Sequence, residues 1–491
     1  MILGYPTMRL FTIIPCLVAW SMCVVPASLA DSGHEDRFNT NPADYSITDI
    51  IERDVAIIGG GSSGAFTAVR LRDFNKSVIV IEKKETLGGH AETYTNPFTG
   101  YTTDIGVVVF HHLPVVLDYF SKFNVPLIEI PSIIPNLTYV DFATGQEVDF
   151  KPPTASAFST ALRTYLSHLG NHTYLEAGFN ITYPVDPDLL LSFKSFVEKY
   201  GLQDLVSQTF ATNQGYVPIL DISMIYIFKY LNAYQANSYL GGSLLTTARH
   251  DIQELYKKVA GFLGIDALLN TKLLAMERQS FGGGTKSVSP PIRILVQTPT
   301  GRKLIVAKAM VCTIPPLFEN LAGFDLSRDE AALFRKFSAN GYYTGLLNNT
   351  GLTESIFATG PGQEYNVPIL PGPYGMSVTP EGLTQVYYGS PSVLPDREVK
   401  AEILSILKRL QQTRGIKTNG LEPDWLAFSS HSPFNLMVSN DDIRAGFYSD
   451  LNGLQGRRHT LYHGAAWDTQ DSSLLWKLTD EYIVPKLLRL L

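Results

Sequence analysis

The sequence predicts an α/β protein in which a domain built on a βαβ core is interleaved with a mixed α+β domain. Three observations lead there. Residues 55–82 run through an apolar stretch, a glycine-rich turn, a helical pattern and a second apolar stretch ending in an acid. Helical periodicity prevails from residue 156 to about 263 and then yields to strand-like runs at 267–278, 292–298 and 303–312. Near the end, a short strand at 460–463 leads through small residues into a helix with a capping side chain.

Each residue type in the first unit answers a physical demand. Val55-Ala56-Ile57-Ile58 forms a strand that stops at Gly59-Gly60-Gly61-Ser62-Ser63-Gly64. Gly59 permits the tight turn, Gly61 lets backbone approach a pyrophosphate, and Gly64 lets helix and strand pack closely. Ser62 and Ser63 open a helix whose free N–H groups aim at the phosphates. Glu82 ends the second strand, where a carboxylate can accept hydrogen bonds from a ribose hydroxyl. Its negative charge argues against a 2′-phosphate. Strand, turn, helix, strand and acid in register indicate a Rossmann-type dinucleotide site.

A second glycine pair follows in Leu87-Gly88-Gly89-His90, and Asp104-Ile105-Gly106 comes shortly after. These residues resemble the flavin-containing amine oxidase superfamily, in which a Leu-Gly-Gly motif and an Asp-x-Gly succeed the first βαβ unit. Many members carry Arg where this chain has His90; the Gly-Gly-His form resembles the branch that includes fungal β-cyclopiazonate dehydrogenase. The resemblance implies a two-domain FAD-dependent oxidase fold, with FAD extended across the sheet and its ring at the domain boundary. It makes Gly59, Gly61, Ser62, Ser63, Gly64, Glu82, Gly88, Gly89, His90, Asp104 and Gly106 the cofactor-binding candidates. The FAD-binding domain then comprises residues 51–112, 251–320 and 446–491, and the substrate domain 113–250 and 321–445.

The remaining elements follow in order. Residues 31–50 are polar and read as a flexible leader. Pro114 opens a helix with Val116, Leu117, Phe120 and Phe123 on one face. Residues 125–150 read as short strands and turns. Within the helical region, Leu189, Leu190, Phe193, Phe196, Val197 and Tyr200 form one stripe, and Ile252, Leu255, Tyr256, Val259, Phe262 and Leu263 another. The apolar run 219–231 is too short to cross a bilayer and reads as a core helix. The strands at 267–278, 292–298 and 303–312 are separated by Gly282-Gly283-Gly284 and Thr300-Gly301, and resemble the meander returning to the FAD domain in this superfamily. Residues 342–347, 385–389 and 425–430 suggest the substrate-domain sheet, with a helix at 398–410. Gly464, Ala465 and Trp467, placed between a strand and a helix capped by Asp471 or Ser472, resemble the superfamily's C-terminal flavin contact and join the cofactor-binding candidates. A helix N-terminus there would set positive potential beside the flavin pyrimidine. Pro485 should kink or restart that helix.

The bulk properties bound the partners. The chain has 491 residues, 45% hydrophobic, enough for more than one core. A net charge of −7 without a long basic run argues against nucleic acid and anionic membrane surfaces. Arg9, the apolar stretch 10–25 and Ser28-Leu29-Ala30 read as a signal peptide over residues 1–30, cleaved after Ala30 and leaving no stable membrane insertion. Cys16 and Cys23 lie within it, so Cys312 alone remains and no internal disulfide can form. Five N-glycosylation triplets begin at Asn75, Asn136, Asn171, Asn180 and Asn348, fitting a secreted glycoprotein.

His111-His112 is a poor metal site, since neighbours on a strand point to opposite faces and further ligands at metal spacing are missing. No nucleophile elbow is visible. The expected function is an FAD-dependent oxidase or dehydrogenase that takes a hydride from a small organic substrate, at a carbon beside nitrogen. A desaturase or isomerase of an apolar polyene, and a flavin-binding protein without turnover, are the alternatives. No acid or base is identifiable. A covalent flavin would need a histidine, His90 or His111, because no cysteine follows Cys312; a tightly held noncovalent FAD is equally compatible.

Overall fold

The computed structural model describes residues 39–130, 137–212, 216–278, 291–418 and 420–491. Residues 1–30, read above as a signal peptide, residues 31–38 of the leader, Asn136 and the 282–284 glycine turn lie outside them.

One sheet is centred on Ile50–Ile58, which runs parallel to Val78–Ile81 on one side and to Gly301–Cys312 on the other. Ala267–Leu268 extends the parallel order beyond Val78–Ile81. Gly301–Cys312 is long enough to serve two partners. Its first half carries the antiparallel meander Ile292–Thr298 and Lys272–Glu277, while Met310–Cys312 pairs in parallel with Thr460–Tyr462. Both faces of the central strand are covered, as a parallel sheet requires. Val55 and Ile57 enter one apolar core with Phe66, Tyr256 and Trp476; Ala56 and Ile58 enter another that reaches the second domain. Helix Pro114–Lys122 joins the first core through Val116, Tyr119 and Phe120, so that core extends past residue 112.

The second sheet has the order Asp424–Ser430, Gly341–Asn348, Thr384–Ser390, Gly372–Val378, Ile356–Ala358, Thr138–Val140. Helix Asp396–Arg414 covers its far face: the Tyr388 hydroxyl donates to Glu402 at 2.5 Å, and Val399, Ile403, Leu407 and Leu410 are buried.

Several local expectations are revised. The helical stretch 156–263 is interrupted by strand Leu244–Thr247, which pairs with Leu127–Ile130, so long-range pairing overrides the local periodicity. The stripe 189–200 divides into a 3-10 turn, Pro187–Leu190, and helix Phe193–Tyr200, because Ser192 caps the second by accepting from the Ser195 N–H. The leader is folded in its last part: Pro42–Asp44 and Ile47–Asp49 are 3-10 turns, and Asp49 pairs with Lys303 at 2.7 Å. His111 and His112 do not lie on a strand, yet they diverge, His111 buried and His112 exposed. The apolar run 219–231 becomes the turn Ile219–Asp221 and the buried helix Met224–Tyr230. Among the described residues no helix is long and apolar enough to cross a membrane. The last helix, Ser472–Leu478, passes through a π turn, Thr479–Ile483, into Val484–Leu490, where Pro485 stands in the first turn.

Candidate functional site

The glycine turn and the second glycine pair are knitted together. The Gly88 N–H donates to the Gly60 carbonyl at 2.9 Å, and Gly61 and Gly88 form a parallel bridge. A Cβ on Gly89 would stand 2.9 Å from Gly61 Cα, so the approach demands glycine. Gly64 is equally constrained, since its Cβ would meet the Gly59 carbonyl oxygen at 1.9 Å. Gly59 has φ +98°, which admits little else.

Gly61 is different. Its φ is −67°, ordinary for any residue, and the nearest protein atom to an added Cβ is 3.7 Å away. Neither conformation nor packing within the chain asks for glycine there. Space kept open above backbone at a helix N-terminus is what a phosphate group needs.

Glu82 is buried and its carboxylate accepts from the Gly60 N–H and the Lys84 N–H, both at 2.7 Å. The protein thereby fixes the acid at the strand end, each oxygen keeping a lone pair for a further donor. Ser62 donates its hydroxyl proton to Ser472 Oγ at 2.8 Å, and the Trp476 indole N–H reaches the Ser62 carbonyl at 3.3 Å. These bonds set the N-termini of the first and last helices side by side. Ser63 Oγ is buried in the first helix.

The C-terminal motif meets the turn through a residue the sequence reading missed. Thr313 Oγ1 donates toward the carbonyls of Ile58 and Gly59, each at 3.0 Å, and Gly464, at φ +103°, lies against the Thr313 carbonyl. Its position one residue past a parallel strand was the available signal. Ala465 keeps accessible surface. Trp467 stacks on Tyr462 at 5.1 Å, and its indole Nε1, like Thr469 Oγ1, is buried without a hydrogen-bond partner. Asp468 is fully buried and paired with Lys229, whose ammonium also donates to the Leu175 carbonyl at 2.6 Å. Burial raises the Asp468 pKa, with Lys229 opposing.

Asp104 and Gly106 take scaffold positions. The Asp104 carboxylate accepts from the Ile252 N–H at 2.9 Å and from the Thr93 hydroxyl at 2.5 Å, opening helix Gln253–Leu263. Burial pushes its pKa up to about 6. A Cβ on Gly106 would be 1.8 Å from the His90 carbonyl oxygen, so this pair fixes the His90 peptide. The His90 ring packs edge-on against His431 at 5.1 Å. Burial, then the charges of His431, Lys84 and Lys83, hold it well below the usual imidazole range, hence neutral.

The last helix is capped by Asp471, one of the two capping residues expected. Asp471 accepts from the Ser473 and Leu474 N–H groups and binds His111 Nε2 at 2.7 Å. Burial works against ionising either partner, but their mutual attraction prevails: Asp471 is lowered and His111 raised from their ordinary values. The end of the helix therefore presents an ion pair. Cys312 is buried, and burial lifts its thiol to about 12, which removes it as a nucleophile.

Known proteins resemble this chain in sequence and in fold. Residues 57–123 match the NAD(P)-binding Rossmann-like domain. The FAD-dependent oxidoreductase oblC of Cochliobolus heterostrophus is 37% identical over 96% of this chain and 98% of its own length. The β-cyclopiazonate dehydrogenase of Aspergillus flavus is 32% identical over 89% of this chain and 94% of its own. Among solved structures, a CLA-producing fatty acid isomerase from P. acnes superposes with a TM-score of 0.68 at 18% identity, covering 88% of this chain and 98% of its own. Wild-type putrescine oxidase bound to putrescine gives 0.62 at 16%, covering 90% and 100%.

Proposed function

The chain belongs to the family of FAD-dependent oxidoreductases that includes oblC and β-cyclopiazonate dehydrogenase, and from that premise, with the amine-oxidase-like motifs of its sequence, we propose that it oxidises a small organic substrate at a carbon beside nitrogen. FAD, when bound, supplies the hydride acceptor. The chain's own residues do the rest. Gly61, with unfilled space above its backbone, and the first N–H groups after it would hold the pyrophosphate, while Gly88 and Gly89 hold the turn in place. Glu82, locked by two backbone donors, would take the ribose. Ala465, Trp467 and His90 are the candidates for the ring end.

The observation that carries this reading is Gly61, a glycine with ordinary φ and unfilled space above it. The purified protein should be yellow, with one FAD per chain. Anaerobic addition of amines should bleach a turnover-competent flavin; a protein that stays yellow with every donor is a binder only. A polyene added in the same screen tests the alternative: bleaching by amines and not by the polyene marks an amine donor, and the converse marks the polyene enzyme.

Secretion with N-glycans is proposed alongside. It is supported by the pattern at residues 1–30 and by the exposure of Asn75, Asn171, Asn180 and Asn348. Product from a eukaryotic host should begin near Asp31 and lose mass on glycosidase treatment; an unprocessed, retained product would refute it.

A further inference from the structure

Around the C-terminal motif, contacts decide which ionisable groups can hold a moving proton. His463 is buried with Nε2 bonded to Thr479 Oγ1 at 2.7 Å, and burial pushes it down to about 4. Asp468 is spent on Lys229, whose ammonium also donates to the Leu175 carbonyl at 2.6 Å. His90 is held neutral by burial and by the charges beside it.

Asp471 and His111 differ from these. Asp471 Oδ1 takes the Ser473 and Leu474 N–H groups, and Oδ2 takes His111 Nε2 at 2.7 Å. The His111 backbone is fixed as well, its N–H donating to Ser473 Oγ at 3.0 Å. The imidazole keeps 5% of its surface, but Asp471 keeps 19% while lying deep in the molecule. That surface faces an internal space beside the motif. A carboxylate only accepts, so in the neutral ring Nε2 carries the hydrogen and Nδ1 the lone pair. Nδ1 bonds to nothing among the described residues. Tyr234 lies beside the imidazole, ring centroids 5.8 Å apart, and Lys477 acts on Tyr234 from the last helix. Tyr230 and Asp468 face Asp471, while His112 turns outward to Glu129 at 3.8 Å. Attraction to Asp471 outweighs burial and raises His111, so it alone of these three imidazoles is favoured in its charged form.

We propose that His111, held by Asp471, takes up one proton when the bound cofactor is reduced, and accepts the proton that oxidation beside nitrogen releases. This rests on the function proposed above. Such an oxidation breaks one C–H and one N–H bond and leaves a C=N bond. The hydrogen on carbon departs with both electrons as hydride; the hydrogen on nitrogen departs as a proton. The hydride brings one negative charge to the ring end. A negative charge there favours the imidazolium, so the proton comes to rest on Nδ1. By linkage, the protonated pair favours reduction in turn.

The midpoint potential of the holoenzyme flavin, followed by spectroelectrochemistry from about pH 5 to about pH 9, tests this without a substrate. One proton taken up with two electrons moves the potential by about 30 mV per pH unit, and two protons by about 60 mV. The slope should steepen from the first value toward the second across the His111 titration. It should stay at the first there in His111→Gln, whose amide does not titrate. Asp471→Asn should move the steep region to lower pH, and provides the reading should His111→Gln fail to fold. Independently, the His111 ring signals of isotope-labelled holoenzyme should show at least tenfold tighter proton binding in reduced than in oxidised protein. A steep region that persists unchanged in folded His111→Gln overturns the proposal, because another group then takes the proton. Equal proton affinity of His111 in the two redox states overturns it as well. A colourless preparation defeats the FAD reading and this one with it. A steep region lost in His111→Gln, in a protein that no amine bleaches, keeps His111 as the redox-linked proton site and defeats the amine reading alone.

Discussion

Gly61→Ala separates cofactor binding from folding, because the structure allows the methyl and the cofactor does not. At φ −67° alanine is unstrained, and the nearest protein atom, Gly89 Cα, is 3.7 Å from the new Cβ. Apoprotein stability should stay within about 0.5 kcal/mol of the parent or rise slightly, since alanine restricts the unfolded chain more than glycine. The same methyl occupies the space in which backbone N–H groups would meet the pyrophosphate. Losing one hydrogen bond to a charged group costs about 1.5–3 kcal/mol, roughly ten- to a hundred-fold in affinity. Fluorescence titration of apoprotein with FAD reads the second effect, and thermal unfolding of the same apoprotein reads the first. Gly64→Ala is the contrast: its Cβ would meet the Gly59 carbonyl oxygen at 1.9 Å, so it should lower the unfolding midpoint of the apoprotein itself. A Gly61→Ala protein that binds FAD like the parent would refute the cradle, and with it the argument from open space.

Three further outcomes follow from buried polar groups. Asp471→Asn should keep the helix cap but leave His111 without its charge partner, destabilising the fold by about 1–3 kcal/mol. Asp471 is lowered from 3.8 and His111 raised from 6.5, so their contribution is present above the first value and is lost as pH rises through the folded His111 pKa. The parent-minus-variant difference in unfolding free energy should therefore be greatest between those values; a difference growing through alkaline pH would contradict the pairing. Lys229→Met strands the Asp468 carboxylate and should cost about 3–5 kcal/mol by denaturant titration, with Lys229→Met/Asp468→Asn recovering part; no recovery would mean the pair is not the cause. Cys312 should resist iodoacetamide in native protein and react stoichiometrically once unfolded, and acid-precipitated protein should yield no flavin-bearing Cys312 peptide.

The nucleotide core was legible in the sequence because its determinants are local. A strand, a turn that needs glycine at φ +98°, a helix and an acid within about thirty residues leave few other folds. The Leu-Gly-Gly and Asp-x-Gly motifs were legible as positions but not as roles. Only the folded chain shows Gly88 bonded to Gly60, and Asp104 bonded through Oδ1 to Thr93 and to Ile252, 148 residues away. The same limit hid the pairing of His111 with Asp471, separated by 360 residues. A carboxylate or imidazole carries no local mark of the partner it will meet, because that partner is set by packing between distant segments. The runs 342–347 and 385–389 likewise read as strands of the substrate-domain sheet, without saying which face would meet the nucleotide domain. That was decided when Thr344 and Gln385 docked on the 104–105 backbone and turned Tyr342 and Tyr387 inward.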